Sequence, residues 1–479
     1  MRQTVPNTSI AGIWRLPGPQ LVGLTIVLLG LLNNSPGHAA EQTSEVQQGD
    51  SVSLVNASGQ SFHDDSSSPE TWAVHGQLTN VTQSHSRFTS PYSGTNSLIA
   101  NGRTEETTDI TFYAGVRLSH NTEFWINPEI DQGFGLSNTV GMAGFPSGEA
   151  YKIGANAPYL RLPRAFIRQV IPLSDTFVKA ESAANQLEST NAINNVTLTV
   201  GKLSVTDIFD TNLYAHDPRS DYLNWSIIDA AAFDYAADAW GFTYGGAAEW
   251  RHNGWTLRGG VFQLSKVPNG KITAVDFRQN MLVGELEQRY EWLGHPGKIK
   301  FLGFVNRGRM ASYRDAVQLA QKSGDTPDAA LVRRFHSRPG SSVNVEQELS
   351  SDLGAFVRAS LNDGTKEAYE FTEINKSISA GLSLLGDRWG RHDDVVGLAG
   401  VINGLSSEAR RYFSAGGIGI LIGDGRLNYG TEKIIETYYS FRISPYLKIA
   451  LDYQYAHNPA YNRDRGPLSI YTIRVHTEI

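Results

Sequence analysis

The sequence predicts an all-β protein, a transmembrane antiparallel β-barrel of about sixteen strands with long external loops. Three observations carry this reading. Apolar and polar residues alternate with a period of two over many runs of about ten residues, the length that crosses a bilayer as a tilted strand. The connections between runs alternate between short and long, the layout of a barrel with tight turns at one end and loops at the other. An export leader precedes the runs, and no later segment approaches the ~20 apolar residues of a spanning helix.

The leader occupies residues 1–40. Arg2 and Arg15 form its positive region, residues 21–32 its apolar core, and Ala39 and Ala40 the small residues for cleavage. Residues 41–70 are polar with a Ser/Asp-rich end and read as a periplasmic arm; residues 71–479 read as the outer-membrane barrel. Candidate strands lie near residues 72–82, 109–119, 123–131, 164–173, 196–208, 240–250, 255–265, 279–292, 298–309, 343–349, 353–362, 371–385, 394–403, 433–443, 446–456 and 468–479. In the second, Ile110, Phe112, Ala114, Val116 and Leu118 oppose Thr111, Tyr113, Gly115 and Arg117. Around 240–250, Phe242, Tyr244, Gly246, Ala248 and Trp250 oppose Thr243, Gly245, Ala247 and Glu249. The last three runs are the cleanest: Leu451, Tyr453, Tyr471 and Ile473 face one way, Asp452, Gln454, Thr472 and Arg474 the other. Short turns fall at 120–122, 252–254, 294–297, 350–352 and 444–445. Long connections fall at 83–108, 132–163, 209–239, 266–278, 310–342, 404–432 and 457–467. Residues 174–195 are long where a short turn is expected. Residues 311–322 and 406–415 have helical patterns and are expected to cap loops.

Composition narrows the function. The formal net charge is −7; the leader holds two Arg and no acidic residue, leaving 39 basic against 48 acidic residues beyond it. This mild acidity argues against nucleic-acid partners. There is no Cys, so neither disulfides nor thiolate chemistry is available. No His spacing suggests a metal site, and no cofactor motif is present. No nucleophile motif of the Gly-x-Ser-x-Gly kind supports a hydrolase, so no enzyme activity is expected. A mean hydropathy of −0.29 suits a membrane barrel whose strands each have one wet face.

Several stretches resemble the carbohydrate-selective porins of the OprB-like family. They are Ser90-Pro-Tyr-Ser-Gly-Thr-Asn-Ser-Leu98, Arg164-Ala-Phe-Ile-Arg-Gln169, Phe209-Asp-Thr-Asn-Leu-Tyr214, Asp221-Tyr-Leu-Asn-Trp225, Gly423-Asp-Gly-Arg-Leu-Asn-Tyr429 and residues 458–467. The resemblance implies a sixteen-stranded barrel mediating passive, carbohydrate-selective diffusion into the periplasm. One departure is the last residue, Ile479, where barrels of this kind end in an aromatic.

A passage for sugars needs bidentate donors and acceptors, apolar faces for the C–H side of the ring, and weak, repeated contacts so that solute leaves as readily as it enters. The lumen-facing positions supply Arg164, Arg168, Arg258, Arg358, Arg442 and Arg474 with Glu249, Glu285, Glu287, Glu373, Glu436 and Asp452. Arg164 and Arg168, four apart on one strand face, are the leading pair, although Phe166 between them breaks the alternation. The 209–239 loop, with Asp221, Tyr222 and Trp225, is the expected constriction. The alternative is a general porin, or one selective for anions or organic acids, since six lumen Arg favour negative solutes. The expected partners are carbohydrate solutes, outer-membrane lipid and lipopolysaccharide, and the expected state is a monomer or homotrimer.

Overall fold

Each period-two run forms a strand because its polar side has a wet or hydrogen-bonding lumen to face and its apolar side has lipid. The computed structural model describes residues 70–150 and 154–479; the leader and all but the last residue of the arm lie outside the described residues. In chain order the strands are β1 (Trp72–His85), β2 (Arg103–Ser119), β3 (Thr122–Gly133), β4 (Ala155–Pro172), β5 (Phe177–Ala180), β6 (Ser189–Ala192), β7 (Asn195–Leu203), β8 (Thr243–His252) and β9 (Trp255–Gln263). They continue with β10 (Asn280–Trp292), β11 (His295–Met310), β12 (Arg334–Ser350), β13 (Leu353–Asn362), β14 (Lys376–Gly386), β15 (Arg391–Gly404), β16 (Glu432–Ser444), β17 (Leu447–His457) and β18 (Leu468–Glu478). All but β5 and β6 form one closed antiparallel barrel of sixteen strands. Closure joins β1 to β18 from Gln77 opposite Glu478 to His85 opposite Ile470. Beyond that ladder, Gly76 and Ile479 exchange backbone hydrogen bonds of 2.9 Å each, so the departing C-terminal residue still completes the seam.

Every one of the sixteen candidate runs is a barrel strand. The boundaries moved where the pattern was weak. β12 begins at Arg334 rather than 343, because β11 extends to Met310 and pairs with the polar stretch Arg334–Ser342. β4 begins at Ala155 rather than 164, with a register irregularity opposite Asn127 and Glu129 that accommodates Pro163. Phe242 precedes its strand and is buried inside, not on the lipid face.

The alternation assigns the two faces. Val200, Leu257, Leu282, Phe301, Val357, Ile378, Leu398, Ile435, Leu451 and Ile473 are exposed on the outside, whereas Glu285, Glu287, Asn344, Arg358, Glu436 and Gln454 are buried on the inside. The end of the barrel that holds Trp72 and Glu478 (the terminal end) has the tight turns and an exposed collar of Trp72, Trp250, Trp255, Trp292 and Trp389. Residues 174–195 break this rule of short turns because they form the β5/β6 hairpin, with Phe177 opposite Ala192. Its tip buries Leu187 against Ala73, Tyr113, Trp125 and Phe166. That contact explains the broken alternation: Phe166 faces inward because an apolar tip covers it.

The other end carries the long loops, and these fill the lumen. Two expected helices occur there, α2 (Tyr313–Ser323), N-capped by Ser312, and α3 (Ser407–Ser414), N-capped by Ser406; Tyr313 packs on Tyr412 with ring centroids 4.7 Å apart. A shorter helix, α1 (Trp225–Ile228), lies in the loop between β7 and β8.

Candidate functional site: the lumen and its infolded loop

The loop between β7 and β8, residues 204–242, folds into the barrel. It opens with a capping box in which Ser204 and Asp207 bond each other's backbone, and Asn224 caps α1 by accepting from the Ser226 amide at 3.1 Å. Residues 222–239 are buried throughout. A buried loop must find partners for its backbone groups, and here the barrel wall supplies them. Glu285 accepts from the Asp210 amide (2.8 Å), Glu346 from Leu213 (2.9 Å), and Glu436 from both Leu223 and Asn224. Arg358 donates to the carbonyls of Ile227 (3.0 Å) and Asp210 (3.1 Å), and Arg474 to those of Pro218, Asp221 and Ser220 at 2.6–3.0 Å. Neighbouring loops are held the same way: Glu432 accepts from Ala143, Gly144 and Ala460, and Glu373 from Ile420 and Leu421.

These contacts revise the expected sugar contacts. Trp225 stacks on Phe145 (5.0 Å, 17°) and packs on Phe371 (4.7 Å), inside the loop block. Tyr222 is fully buried, donates to the Leu382 carbonyl at 2.6 Å and packs against Tyr438. The Asp221 carboxylate accepts the amides of His216 and Asp217 and shapes a turn; burial, and the charge of Asp217, push its pKa up. Asp452 is buried beside Gln454, and Arg442 pairs with Asp393 near the terminal end. Glu436, Arg358, Arg474 and Glu373 are occupied by loop backbone.

Ion pairs, some partly exposed and some buried, line the wall from β2 to β11. Arg164 holds Asp207 with two parallel bonds (2.8 and 2.6 Å), and its guanidinium lies 4.9 Å from the centre of the Phe242 ring; its side chain is 15% exposed and that of Asp207 26%. One turn of wall away, Arg161 bonds Glu129 and Asp131 and sits 5.5 Å over Trp240, whose indole N–H donates to the Tyr159 hydroxyl at 3.3 Å. Arg219, from the loop, reaches across to Asp109 (3.3 Å), Glu129 (3.5 Å), Glu149 (3.4 Å) and the Tyr113 hydroxyl (3.2 Å). Burial alone would lower its hold on the proton, but Glu149, Asp109 and Glu129 overcome this and keep the guanidinium charged. Further round, Arg258 meets Glu249, Glu285 and Glu287 at 2.8 Å each. Arg168 stands apart from Arg164, bonded to Glu123 (2.9 Å) and to the Asn185 carbonyl of the β5/β6 hairpin (2.7 Å).

Sequence reasoning missed Arg161, Asp207, Arg219, Trp240 and Phe242. Arg161 was hidden by the Pro163 irregularity, and Phe242 by being placed on the wrong face. Arg219 has no signal within its own segment; only the fold brings three carboxylates to it.

The stretches that carried the resemblance converge. Asn96 pairs with Gly423 through its backbone (3.2 Å), Asp424 bonds Ser97 and Asn462, and Arg465 donates to Ser90 and to the Leu98 carbonyl at 2.6 Å each. Residues 90–98, 423–429 and 458–467 are thus one clamp at the loop end. Residues 209–214 and 221–225 belong to the infolded loop, and 164–169 lie on the wall facing it.

The profile of the carbohydrate-selective porins, OprB family, matches residues 95–479. The chain belongs to the OprB family. It is an outer-membrane porin selective for carbohydrates, built as a channel. No curated protein matches it by sequence. Among solved structures it is similar to the high-pH form of Pseudomonas putida OprB, at 12% identity and a TM-score of 0.66, covering 85% of this chain and 94% of that one. It also matches the outer membrane channel DcaP of Acinetobacter baumannii at 10% identity and a TM-score of 0.47, covering 85% and 97%. The likeness to the OprB structure is one of fold.

Proposed function

We propose that neutral sugars pass the infolded loop along the β2–β11 wall, and that Arg164, Arg161 and Arg219, with their carboxylates and the rings of Trp240 and Phe242, form the selective stretch. The barrel's terminal end faces the periplasm and its loops face outward. The observation that carries this reading is Arg164: a partly exposed guanidinium locked in place by Asp207 and backed by an aromatic ring. A fixed fork offers hydrogen bonds to vicinal hydroxyls with little side-chain ordering left to do. The adjacent rings take the C–H face of the sugar. Paired charges present donors and acceptors together, suiting a solute that is both and carries no charge. The anion-selective alternative rested on six lumen Arg, but five of them sit against carboxylates and Arg474 is taken by loop carbonyls.

The test is sugar-induced block of ion current in planar bilayers. Arg164→Gln and Trp240→Ala should each weaken block about three- to tenfold, the loss of roughly one hydrogen bond or ring contact, while the pore stays open. Organic anions should block the unaltered protein less than neutral sugars of equal size. Unchanged sugar block in both variants, or stronger block by the anions, would remove this site.

A further inference from the structure

The outer surface carries charges of another kind. At the loop end, just beyond the apolar band, Arg307 and Arg309 of β11, Lys376 of β14 and Lys433 of β16 are exposed. Alternation places them on the outside: the two Arg share the face of exposed Phe301, Lys376 that of Ile378, and Lys433 that of Ile435. Arg307 lies opposite Asn280, two residues past exposed Leu282. Among the described residues, none of the four side chains is in an ion pair or hydrogen bond, and Phe335, Ser337, Leu361 and Ile402, the outward neighbours on the intervening strands, are neutral.

Several other exposed cations are paired within the protein. At the terminal end Arg388 pairs with Asp352 and Arg391 with Asp394. On the loops Arg278 pairs with Asp276 and Arg334 with Asp315. Among the described residues, the four rim cations stand at the lipid boundary with no protein counter-charge. A row of like charges beside hydrocarbon is unfavourable unless the membrane supplies the opposite sign. The terminal rim has Trp instead, which suits a headgroup region without such demands. Arg307 and Arg309 stand about 7 Å apart along the strand, and Lys376 and Lys433 extend the row by roughly 25 Å of rim, at ~4.8 Å per strand.

We propose that this rim docks a phosphorylated glycolipid of the membrane leaflet facing the loops. Arg307 and Arg309 clamp its phosphates, Lys376 and Lys433 widen the site, and the acyl chains lie on Phe301, Leu282 and Ile378. The assignment of that leaflet rests on the porin orientation proposed above. Guanidinium forks match phosphate oxygens in pairs, which makes Arg rather than Lys the clamp.

The test uses the mature full-length protein, delipidated in detergent, with three probes: diphosphorylated lipid A, its phosphate-free form, and phosphatidylglycerol. The unaltered protein should retain the diphosphorylated lipid in preference to both others. Arg307→Gln/Arg309→Gln should weaken retention about thirtyfold and Lys376→Gln/Lys433→Gln less, given about fivefold per basic residue at an anionic surface. Arg307→Lys/Arg309→Lys should recover most of it, and Arg334→Gln should change nothing. If the double Gln variant does not fold, Arg309→Gln alone should lose about fivefold. Equal retention by the unaltered and Gln-substituted proteins, or equal binding of the phosphate-free lipid or phosphatidylglycerol, would overturn the proposal. Sugar block measured on the same variants should be unchanged; its absence in the unaltered protein would count against the porin path, not the lipid site.

Discussion

Arg358 and Arg474 are buried and donate to carbonyls of the infolded loop, while Arg164, on the same lumen face, keeps a partly open fork against a partly open Asp207. The residue type, alternation and face are the same, yet one group latches a loop and the other pairs with a side chain on the proposed path. The difference lies in the partner. A charge that meets buried backbone is a structural requirement, because the loop's amides and carbonyls have no water to turn to. A charge that meets another side chain at a partly wet surface is replaceable in stability terms and available to solute. Lumen charge alone therefore does not identify a solute site.

The comparison breaks most sharply at a latch. Glu436→Ala removes the acceptor of two buried amides and should cost about 3–5 kcal/mol, read as a lower thermal unfolding temperature in detergent. The barrel's strand ladder remains, so the freed loop should also raise single-channel conductance. Arg358→Met should behave similarly, since it strands Asp210. If both variants unfold and conduct like the unaltered protein, the latches are not holding the loop. Arg164→Gln is the counterpart: a change within about 1 kcal/mol in stability, with the loss showing in sugar block.

An intermediate effect is expected at Arg219, which belongs to the loop but pairs with carboxylates of the wall and of a neighbouring loop. Its removal leaves Asp109, Glu129 and Glu149 without a shared cation. Arg219→Gln should make the pore several-fold more cation-selective, measured as a shift of reversal potential in a salt gradient and fading as ionic strength rises. No shift would mean those carboxylates do not face the ion path.

What the sequence revealed follows the same division. Local periodicity located all sixteen strands and, except at Phe166 and Phe242, the phase of their faces, because each strand is written in its own residues. It also placed Arg164 on a strand of the wall. It misjudged Trp225 and Tyr222, since a loop rich in aromatics and acids has the same composition whether those rings face solute or other loops. It missed Arg219 and Asp207 because their partners lie on other strands, up to 110 residues away for Arg219 and Asp109. The 174–195 segment was visible as a misfit, but only the hairpin's Leu187 contact explains it and the inward Phe166.

The smallest expected effect lies within the loop itself. His216 Nδ1 is 3.4 Å from Asp229 Oδ1, joining the loop's turn to the residue that follows α1. Burial would lower the pKa of His216, but the adjacent Asp229 carboxylate outweighs it and raises it above the ordinary value. The imidazole therefore holds its proton more tightly in the folded loop than in an unfolded chain. The sign follows: this stabilisation is fully present below the unfolded His value of about 6.5 and is lost as pH rises through the folded one. Raising pH from 6 to 9 should therefore loosen the turn, seen as more open-channel noise with the barrel intact. His216→Gln should remove that pH dependence, and its noise should match the unaltered protein's at high pH. The effect is small because Glu346, Glu436, Arg358 and Arg474 still fasten the loop on both sides of the pair. If the noise of the unaltered protein does not change with pH, or changes equally in His216→Gln, the titrating group lies elsewhere and the loop is held by its wall latches alone.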